Sequence, residues 1–263
     1  MGTAPSSKEA LLSRLDPIDR LIVALDFPSA EPAMNLVDRL QGTCRWFKVG
    51  MELYYAAGKS VVDQLRERGL EVFLDLKLHD IPNTVAGAVR SVTGAGASLL
   101  TIHAGGGEKM MRAAALAASA PNSPELLAVT VLTSMDATEL SSVGVTVDDA
   151  SADVMSSQVL RLARLARASG INGLVCSAEE VVLVRKLMGP DARIVVPGIR
   201  PADKTGSTAH DDQRRIATAA EAISRGATML VVGRPITLAP NPAKVTSEIL
   251  AEIDNADQRS RRS

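Results

Sequence analysis

Short apolar segments alternate with amphipathic ones along the chain. Eight apolar runs recur, at residues 21–26, 46–50, 71–75, 98–103, 127–133, 173–177, 193–198 and 228–233. The segments between them, such as 32–40, 60–69, 159–170 and 180–189, have the periodicity of amphipathic helices, and several end on glycine. This alternation is typical of repeated βα units and predicts a parallel sheet.

Eight βα units fit a closed (β/α)8 barrel, the TIM barrel, in a single α/β domain. The chain has 263 residues, close to the roughly 250 that such a barrel needs. An open doubly wound sheet usually has fewer strands, and no GxGxxG turn follows the first apolar run. No linker or repeat interrupts residues 20–252, so we expect the barrel there. We expect an N-terminal extension or helix over 1–19 and a polar tail over 253–263 that is frayed from residue 255 onward.

Composition favours a small-molecule ligand. Hydrophobic residues make up 46% of the chain and aromatic residues only 2%, which suits a barrel interior packed with branched aliphatic side chains. With 29 basic and 30 acidic residues the formal net charge is −1, so no broad field attracts nucleic acid or an anionic membrane. The arginines at 259, 261 and 262 could form a nucleic-acid arm, but a solvated tail is the favoured interpretation.

The cysteines and the first residues indicate the compartment. Cys44 and Cys176 lack CxxC spacing and sit in or beside apolar runs, so we expect two buried thiols in a reducing cytoplasm. Residues 1–20 lack the apolar core of a signal peptide, and no apolar run reaches membrane-spanning length. We therefore expect a cytoplasmic protein without a membrane partner.

Ionisable residues gather where predicted strands end, which is where α/β barrels carry their chemistry. They are Asp26, Lys48, Asp75, Lys77 and Asp80. Because Asp75 and Lys77 are two positions apart, they point to the same side of an extended chain. An isolated DxKxxD pattern fits a surface salt-bridge cluster equally well, so the choice depends on the rest of the sequence.

A phosphate site is predicted after the last strand. Gly233 and Arg234 form a turn that feeds a helix, where backbone N–H groups and the helix dipole bind phosphate in many barrels. Taken alone, this turn could equally carry a solvated arginine. The long polar segment 198–215 has neither helical nor strand periodicity, and such loops are usually lids or binding loops, which favours a functional site.

From about residue 20 to residue 250, the sequence resembles orotidine 5′-phosphate decarboxylases of the common bacterial type. The matching segments are ALDF (24–27), FKVGMELY (47–54), FLDLKLHDIPNT (73–84), VTVLTSMD (129–136), VPGIRP (196–201), DQRR (212–215) and VVGRPIT (231–237). The resemblance implies a homodimer with shared active sites. It implies conversion of orotidine 5′-phosphate to UMP and CO₂ without a cofactor, the last step of de novo pyrimidine nucleotide biosynthesis.

The resemblance also implies a role for each matching residue. Lys77 is the proton donor, and Asp75 and Asp80 complete a charged network around it. Asp26 and Lys48 contact the ribose, Thr133 and Ser134 the pyrimidine, and Gln213, Gly233 and Arg234 the phosphate, with Arg200 at the base of the closing loop. Asp80 and Thr84 come from the partner chain. Arg200 and Gln213 are farther apart than in many bacterial relatives, as though the loop carried a few extra residues.

These roles imply an electrostatic mechanism. Loss of CO₂ leaves an electron pair at pyrimidine C6 with no adjacent carbonyl to delocalise it, and the sequence has no cofactor motif to supply an electron sink. The Lys77 ammonium can stabilise that carbanion and then protonate it. Asp75 and Asp80 keep the lysine charged and repel the substrate carboxylate in the ground state.

Three alternatives stay open. The related 3-keto-gulonate 6-phosphate decarboxylases and hexulose phosphate synthases share DxKxxD but use Mg²⁺ with a glutamate on strand two, where this chain has Lys48. A metal site could use His79 and His103, although the three histidines form no HxH or HxxxH pair. A regulatory nucleotide-binding barrel without turnover is the third, and the intact Lys77 argues against it.

Overall fold

Eight parallel strands form the centre of the fold. The computed structural model describes residues 15–146, 153–201 and 215–262. The strands are β1 (Leu21–Ala24), β2 (Trp46–Gly50), β3 (Glu71–Leu78), β4 (Leu99–His103), β5 (Glu125–Val129), β6 (Gly173–Val175), β7 (Arg193–Val196) and β8 (Met229–Val232). Each pairs in parallel with the next, and β8 pairs with β1, so the sheet is a closed barrel. The predicted (β/α)8 barrel is confirmed.

At least one helix follows every strand. The helices are α1 (Ala30–Arg39), α2 (Met51–Ala57), α3 (Lys59–Glu67), α4 (Pro82–Thr93), α5 (Gly107–Ala117), α6 (Ala137–Ser142), α7 (Val154–Ala168), α8 (Val181–Met188), α9 (Ala219–Ser224), α10 (Arg234–Thr237) and α11 (Pro242–Arg262). Their apolar faces cover the barrel; α3, for example, buries Val61, Val62 and Leu65. None of the helices in the described ranges is long and apolar enough to cross a membrane.

The strands separate two apolar layers. Alternate residues of β1 show the pattern: Ile22 and Ala24 pack inside the barrel, whereas Leu21 and Val23 pack against the helices. The interior is filled by Ile22, Ala24, Phe73, Leu99, Leu127, Val195, Met229 and Val231. Inward positions nearer the carboxyl-terminal ends of the strands are therefore the ones that can carry polar side chains into a site.

One glycine permits the close approach of two strands. A Cβ atom at Gly173, the first residue of β6, would lie 2.5 Å from the carbonyl oxygen of Leu126 and 2.5 Å from Cδ2 of Leu127. Both neighbours belong to β5, which pairs with β6. Any side chain at this position would separate the two strands.

Buried arginine contacts hold the amino-terminal end of the barrel. Arg20 donates hydrogen bonds to the carbonyl oxygens of Thr228 and Ala227 and pairs with Asp257 of α11 at 2.6 Å. The segment expected to form a polar, frayed tail instead continues α11 to Arg262, with Ile253 and Ala256 buried against the barrel. Residues 1–14 of the N-terminal extension lie outside the described residues.

The two cysteines are buried, as the apolar runs around them predicted. Cys44 and Cys176 are free thiols with almost no exposed surface. Burial raises the pKa of Cys44 to about 12 and also raises the pKa of Cys176. Neither side chain is a thiolate at neutral pH, so neither is a reactive nucleophile.

Candidate active site

A cavity of about 470 Å³ opens at the carboxyl-terminal ends of the strands. It collects many of the residues that the sequence singled out: Asp26, Lys48, Asp75, Lys77, Thr133, Arg200, Gly233 and Arg234 all line it. The remaining wall is mainly apolar and includes Phe73, Val129, Val131, Val175, Cys176 and Val231. Apolar walls with a few convergent charged groups are typical of a small-molecule site.

Four of these side chains form a row of alternating charges. Lys48 Nζ lies 2.8 Å from Asp26 Oδ1 and 3.6 Å from Asp75 Oδ2. Lys77 Nζ lies 2.9 Å from both carboxylate oxygens of Asp75. Each charge therefore has an opposite charge beside it, and the row ends on the Lys77 ammonium.

The inner part of this row is largely shielded from water. The side chains of Lys48 and Asp75 are 11% and 14% exposed, and that of Lys77 is 29% exposed. Burial alone raises the pKa of a carboxyl group, but the Lys48 and Lys77 ammonium groups outweigh it, so the pKa of Asp75 is lower than its ordinary value. Asp75 is thus a carboxylate at neutral pH.

The glycine at position 50 makes room for the ion pair between Asp26 and Lys48. Lys48 stands on β2, and Asp26 follows β1, its neighbour in the barrel. A Cβ atom at Gly50 would meet Lys48 Nζ at 3.0 Å and Asp26 Oδ1 at 3.2 Å. Glycine at this position leaves the ammonium and the carboxylate free to meet.

Strand β3 becomes irregular at Lys77. Its register against β4 shifts between Leu74 and Leu78, and Lys77 has a φ of 48°, which is uncommon for a residue with a side chain. Asp75 and Lys77 meet, as their spacing predicted. The simple extended strand behind that prediction is wrong at Lys77, where φ is positive and the N–H donates to the Thr101 hydroxyl at 2.8 Å.

Thr101 is a site residue that the sequence reasoning missed. Its hydroxyl accepts the N–H of Lys77 and donates to Asp75 Oδ1 at 3.0 Å, and the residue is fully buried on β4. It therefore fixes both the backbone of the lysine and the carboxylate of the aspartate. The available signal was a hydroxyl in the middle of the run 98–103, two positions after the inward-facing Leu99.

A second part of the cavity carries the guanidinium groups. Gly233 follows β8 and Arg234 begins α10, as the sequence predicted for a helix after the last strand. Arg200 follows β7, and its N–H donates to the carbonyl oxygen of Ala217 at 2.9 Å. The two arginines follow the paired strands β7 and β8, and two guanidinium groups in one cavity suit an anionic group of the ligand.

Some predicted residues lie away from the cavity of their own chain. Asp80, Thr84 and Ser134 are exposed and are not part of its lining. The Asp80 carboxylate accepts the N–H of Ile81, and Thr84 stands in the first turn of α4. Asp80 thus does not join the charged row around Lys77 of the same chain. Gln213 lies outside the described residues.

Two histidines stack beside the row. The rings of His79 and His103 are 5.2 Å apart and inclined by 20°. Burial, the neighbouring His79 and the Lys77 ammonium lower the pKa of His103. The described residues bring together no group of three or more His, Cys, Asp or Glu side chains that could hold a metal ion.

The sequence matches one family of known proteins over most of its length. The sequence model of the orotidine 5′-phosphate decarboxylase / HUMPS family matches residues 19–249. The chain is 48% identical over 234 residues to the orotidine 5′-phosphate decarboxylase of Dichelobacter nodosus, covering 89% of this chain and 98% of that relative. It is 46% identical over 248 residues to that of Moorella thermoacetica, covering 92% and 94%.

A solved structure agrees with these relatives. The crystal structure of orotidine 5′-phosphate decarboxylase from Lactobacillus acidophilus matches with a TM-score of 0.74 at 37% identity, covering 89% of this chain and 98% of that one. The family model, which matches residues 19–249, includes all eight strands.

Proposed function

The chain belongs to the orotidine 5′-phosphate decarboxylase / HUMPS family, and we propose that its cavity decarboxylates the substrate with Lys77 as proton donor. The reaction converts orotidine 5′-phosphate to UMP and CO₂. The observation that supports Lys77 is its place at the end of the charged row, with Nζ 2.9 Å from both oxygens of an ionised, buried Asp75.

The electron balance of the reaction explains why an ammonium is needed. The bond between pyrimidine C6 and the carboxyl carbon breaks, CO₂ leaves, and the electron pair remains on C6. Lys77 Nζ stabilises this pair electrostatically, and its proton then forms the new C6–H bond. Water reprotonates the lysine, while the Asp75 carboxylate holds it in position through both oxygens.

Asp75 has a second effect on the ground state. A substrate carboxylate near Lys77 also lies near the Asp75 carboxylate, and the two negative charges repel each other. Departure of neutral CO₂ removes this repulsion. Thr101 contributes by donating to Asp75 and thereby fixing where the repelling charge stands.

The phosphate group is assigned to the wall that carries Gly233 and Arg234. Phosphate takes no part in the bond changes, so its binding energy can be used to place the pyrimidine against Lys77. Asp26 and Lys48 are assigned to the ribose, and Thr133 and Ser134 to the pyrimidine. Gln213 is assigned to the phosphate by motif alone, and Arg200 to the base of the adjoining loop.

The charge of Lys48 argues against the magnesium-dependent branch of the family. That branch needs a glutamate on strand two, whereas Lys48 fills the space between Asp26 and Asp75 at 2.8 and 3.6 Å. An ammonium in that position repels Mg²⁺ and already neutralises both carboxylates. Reaction without a metal or other cofactor is therefore part of the proposal.

A homodimer with shared sites completes the proposal. Asp80 and Thr84 are exposed outside their own cavity, and the apolar side chain of Ile81 beside them is 67% exposed. On α2, Met51 and Tyr55 are exposed as well, at 44% and 77%. These exposed apolar side chains fit a dimer interface, across which Asp80 and Thr84 reach the partner's site.

We also assign the protein to the cytoplasm, consistent with its two free thiols.

A direct assay tests the reaction and the metal question together. Purified protein treated exhaustively with a chelator is mixed with orotidine 5′-phosphate, and the absorbance of the substrate is followed. We expect full activity, because Lys48 stands where a metal-binding carboxylate is needed. Activity that returns only on addition of Mg²⁺ contradicts the metal-free mechanism, and inactivity with and without Mg²⁺ contradicts the function.

A further inference from the structure

A buried ion pair outside the charged row joins three neighbouring strand ends. Arg215 is 9% exposed and Glu180 only 3%, and their side chains pair through Arg215 Nη1 and Glu180 Oε1. Glu180 precedes α8, just after β6. Arg215 lies between β7 and α9.

Each member of the pair bonds to a strand end next to the cavity. Arg215 Nη2 donates to the carbonyl oxygen of Leu132 at 3.0 Å. Leu132 and its neighbour Thr133 both line the cavity. Glu180 Oε2 accepts both the N–H and the hydroxyl of Ser177, which follows the cavity-lining Cys176.

Arg215 is also anchored to the cavity rim beyond β7. Ala217, two residues later, forms a parallel bridge with Ile199; its N–H donates to Gly198 at 3.2 Å, and its carbonyl oxygen accepts the N–H of Arg200 at 2.9 Å. Gly198 and Arg200 line the cavity. The guanidinium of Arg215 thus holds the wall next to Thr133, and the backbone that follows Arg215 holds the rim that carries Arg200.

We propose that Arg215 and Glu180 are positioning residues, a buried pair that sets the distance between the pyrimidine wall, which carries Thr133, and the rim that carries Arg200, one of the two cavity arginines suited to the phosphate. This inference rests on the proposed function. A nucleotide that touches both ends is bound well only if the ends are held at the right separation. A nucleoside without phosphate touches one end and does not depend on that separation.

A purely structural role is the competing explanation, and the chain offers a matched control for it. Arg185 is a partly buried arginine at the amino-terminal end of the barrel, where it donates to the carbonyl oxygens of Gly226 and Ala192. Arg185 is not part of the cavity lining, and its hydrogen bonds hold the segments that precede β7 and β8. Arg185→Lys therefore reports what loss of a structural guanidinium does to stability and rate.

The test compares two substrates in two variants and the control. Arg215→Lys keeps the charge but loses the planar fork that reaches Glu180 and Leu132 together. Glu180→Gln keeps an acceptor for Ser177 and removes the charge. We measure kcat/KM per folded protein with orotidine 5′-phosphate and with orotidine, and the unfolding temperature of each protein.

We expect each pair variant to lose about tenfold in kcat/KM on the phosphorylated substrate and much less on orotidine. Arg185→Lys is expected to lower the unfolding temperature with no preference between substrates. Equal losses on both substrates in the pair variants, or no loss, overturn the inference. If Arg215→Lys does not fold, Glu180→Gln decides by the same comparison. Wild-type protein inactive on orotidine 5′-phosphate contradicts the proposed function instead.

Discussion

At the scale of single residues, the site depends on giving every buried charge a partner. Asp75 stays ionised because two ammonium groups flank it, and those ammonium groups stay in place because Asp75 is ionised. The spacing of Asp75 and Lys77 predicted that the two side chains lie on one side of the chain, and they do meet, although Lys77 itself leaves the extended conformation. It did not predict Thr101, whose two hydrogen bonds span residues far apart in the chain.

His103 provides a residue-scale prediction about pH. Its pKa is lowered in the folded protein, so the unfolded chain, with a histidine pKa near 6.5, takes up more protons once the pH falls below that value. The contribution of His103 to stability is therefore complete above about pH 6.5 and decreases as the pH falls toward the lowered pKa. His103→Gln should lose less stability between pH 8 and pH 5.5 than the wild type, by urea unfolding. An identical pH dependence contradicts the assignment.

At the scale of elements, the apolar runs predicted all eight strands but not all of their ends. Strand β5 ends at Val129, four residues before the apolar run does. The Thr130 hydroxyl and N–H both bond to the carbonyl oxygen of Val175, a partner on another strand. The hydropathy of one segment does not show which residue of another strand accepts its hydrogen bonds. The same reasoning explains why the irregular end of β3 at Lys77 was not predicted.

The contact between β5 and β6 gives an element-scale prediction. Gly173→Ala puts a Cβ atom 2.5 Å from the Leu126 carbonyl oxygen, so the strands must separate, and we expect a loss of about 1–3 kcal/mol in the free energy of unfolding. Gly87→Ala in α4 is the matched control. Its nearest contact is Arg90 Nη2 at 3.8 Å, and alanine in a helix should stabilise by about 0.5–1 kcal/mol. Equal effects of the two substitutions in urea unfolding contradict the close-approach argument.

At the scale of the whole molecule, one chain brings together only part of the predicted site. Asp26, Lys48, Asp75 and Lys77 form the row within one barrel, whereas Asp80 and Thr84 are exposed and do not line the cavity of their own chain. The sequence could indicate a dimer only through family resemblance, because the exposure of Ile81 and its polar neighbours becomes visible only once the turn after β3 is folded. If the dimer forms as proposed, each site takes Asp75 and Lys77 from one chain and Asp80 and Thr84 from the other.

Mixed dimers test this arrangement. A Lys77→Ala chain paired with an Asp80→Ala chain has one doubly damaged site and one intact site, which neither mutant dimer has. With random exchange about half of the dimers are mixed and half of their sites work, so about a quarter of wild-type activity should return. If size measurements show exchange while activity stays at the level of the mutants, Asp80 serves the site of its own chain.

The turnover of Lys77→Ala decides whether Lys77 is the proton donor. The lysine acts mainly in the transition state, so we expect kcat to fall by several powers of ten while UMP still binds in an equilibrium titration. Lys59→Ala is the control, because Lys59 is an exposed lysine on α3 whose carboxylate partner, Asp63, also lies on the surface. It should leave kcat unchanged. A near-normal kcat for Lys77→Ala, with UMP binding intact, contradicts the assignment of the proton donor and with it the proposed mechanism.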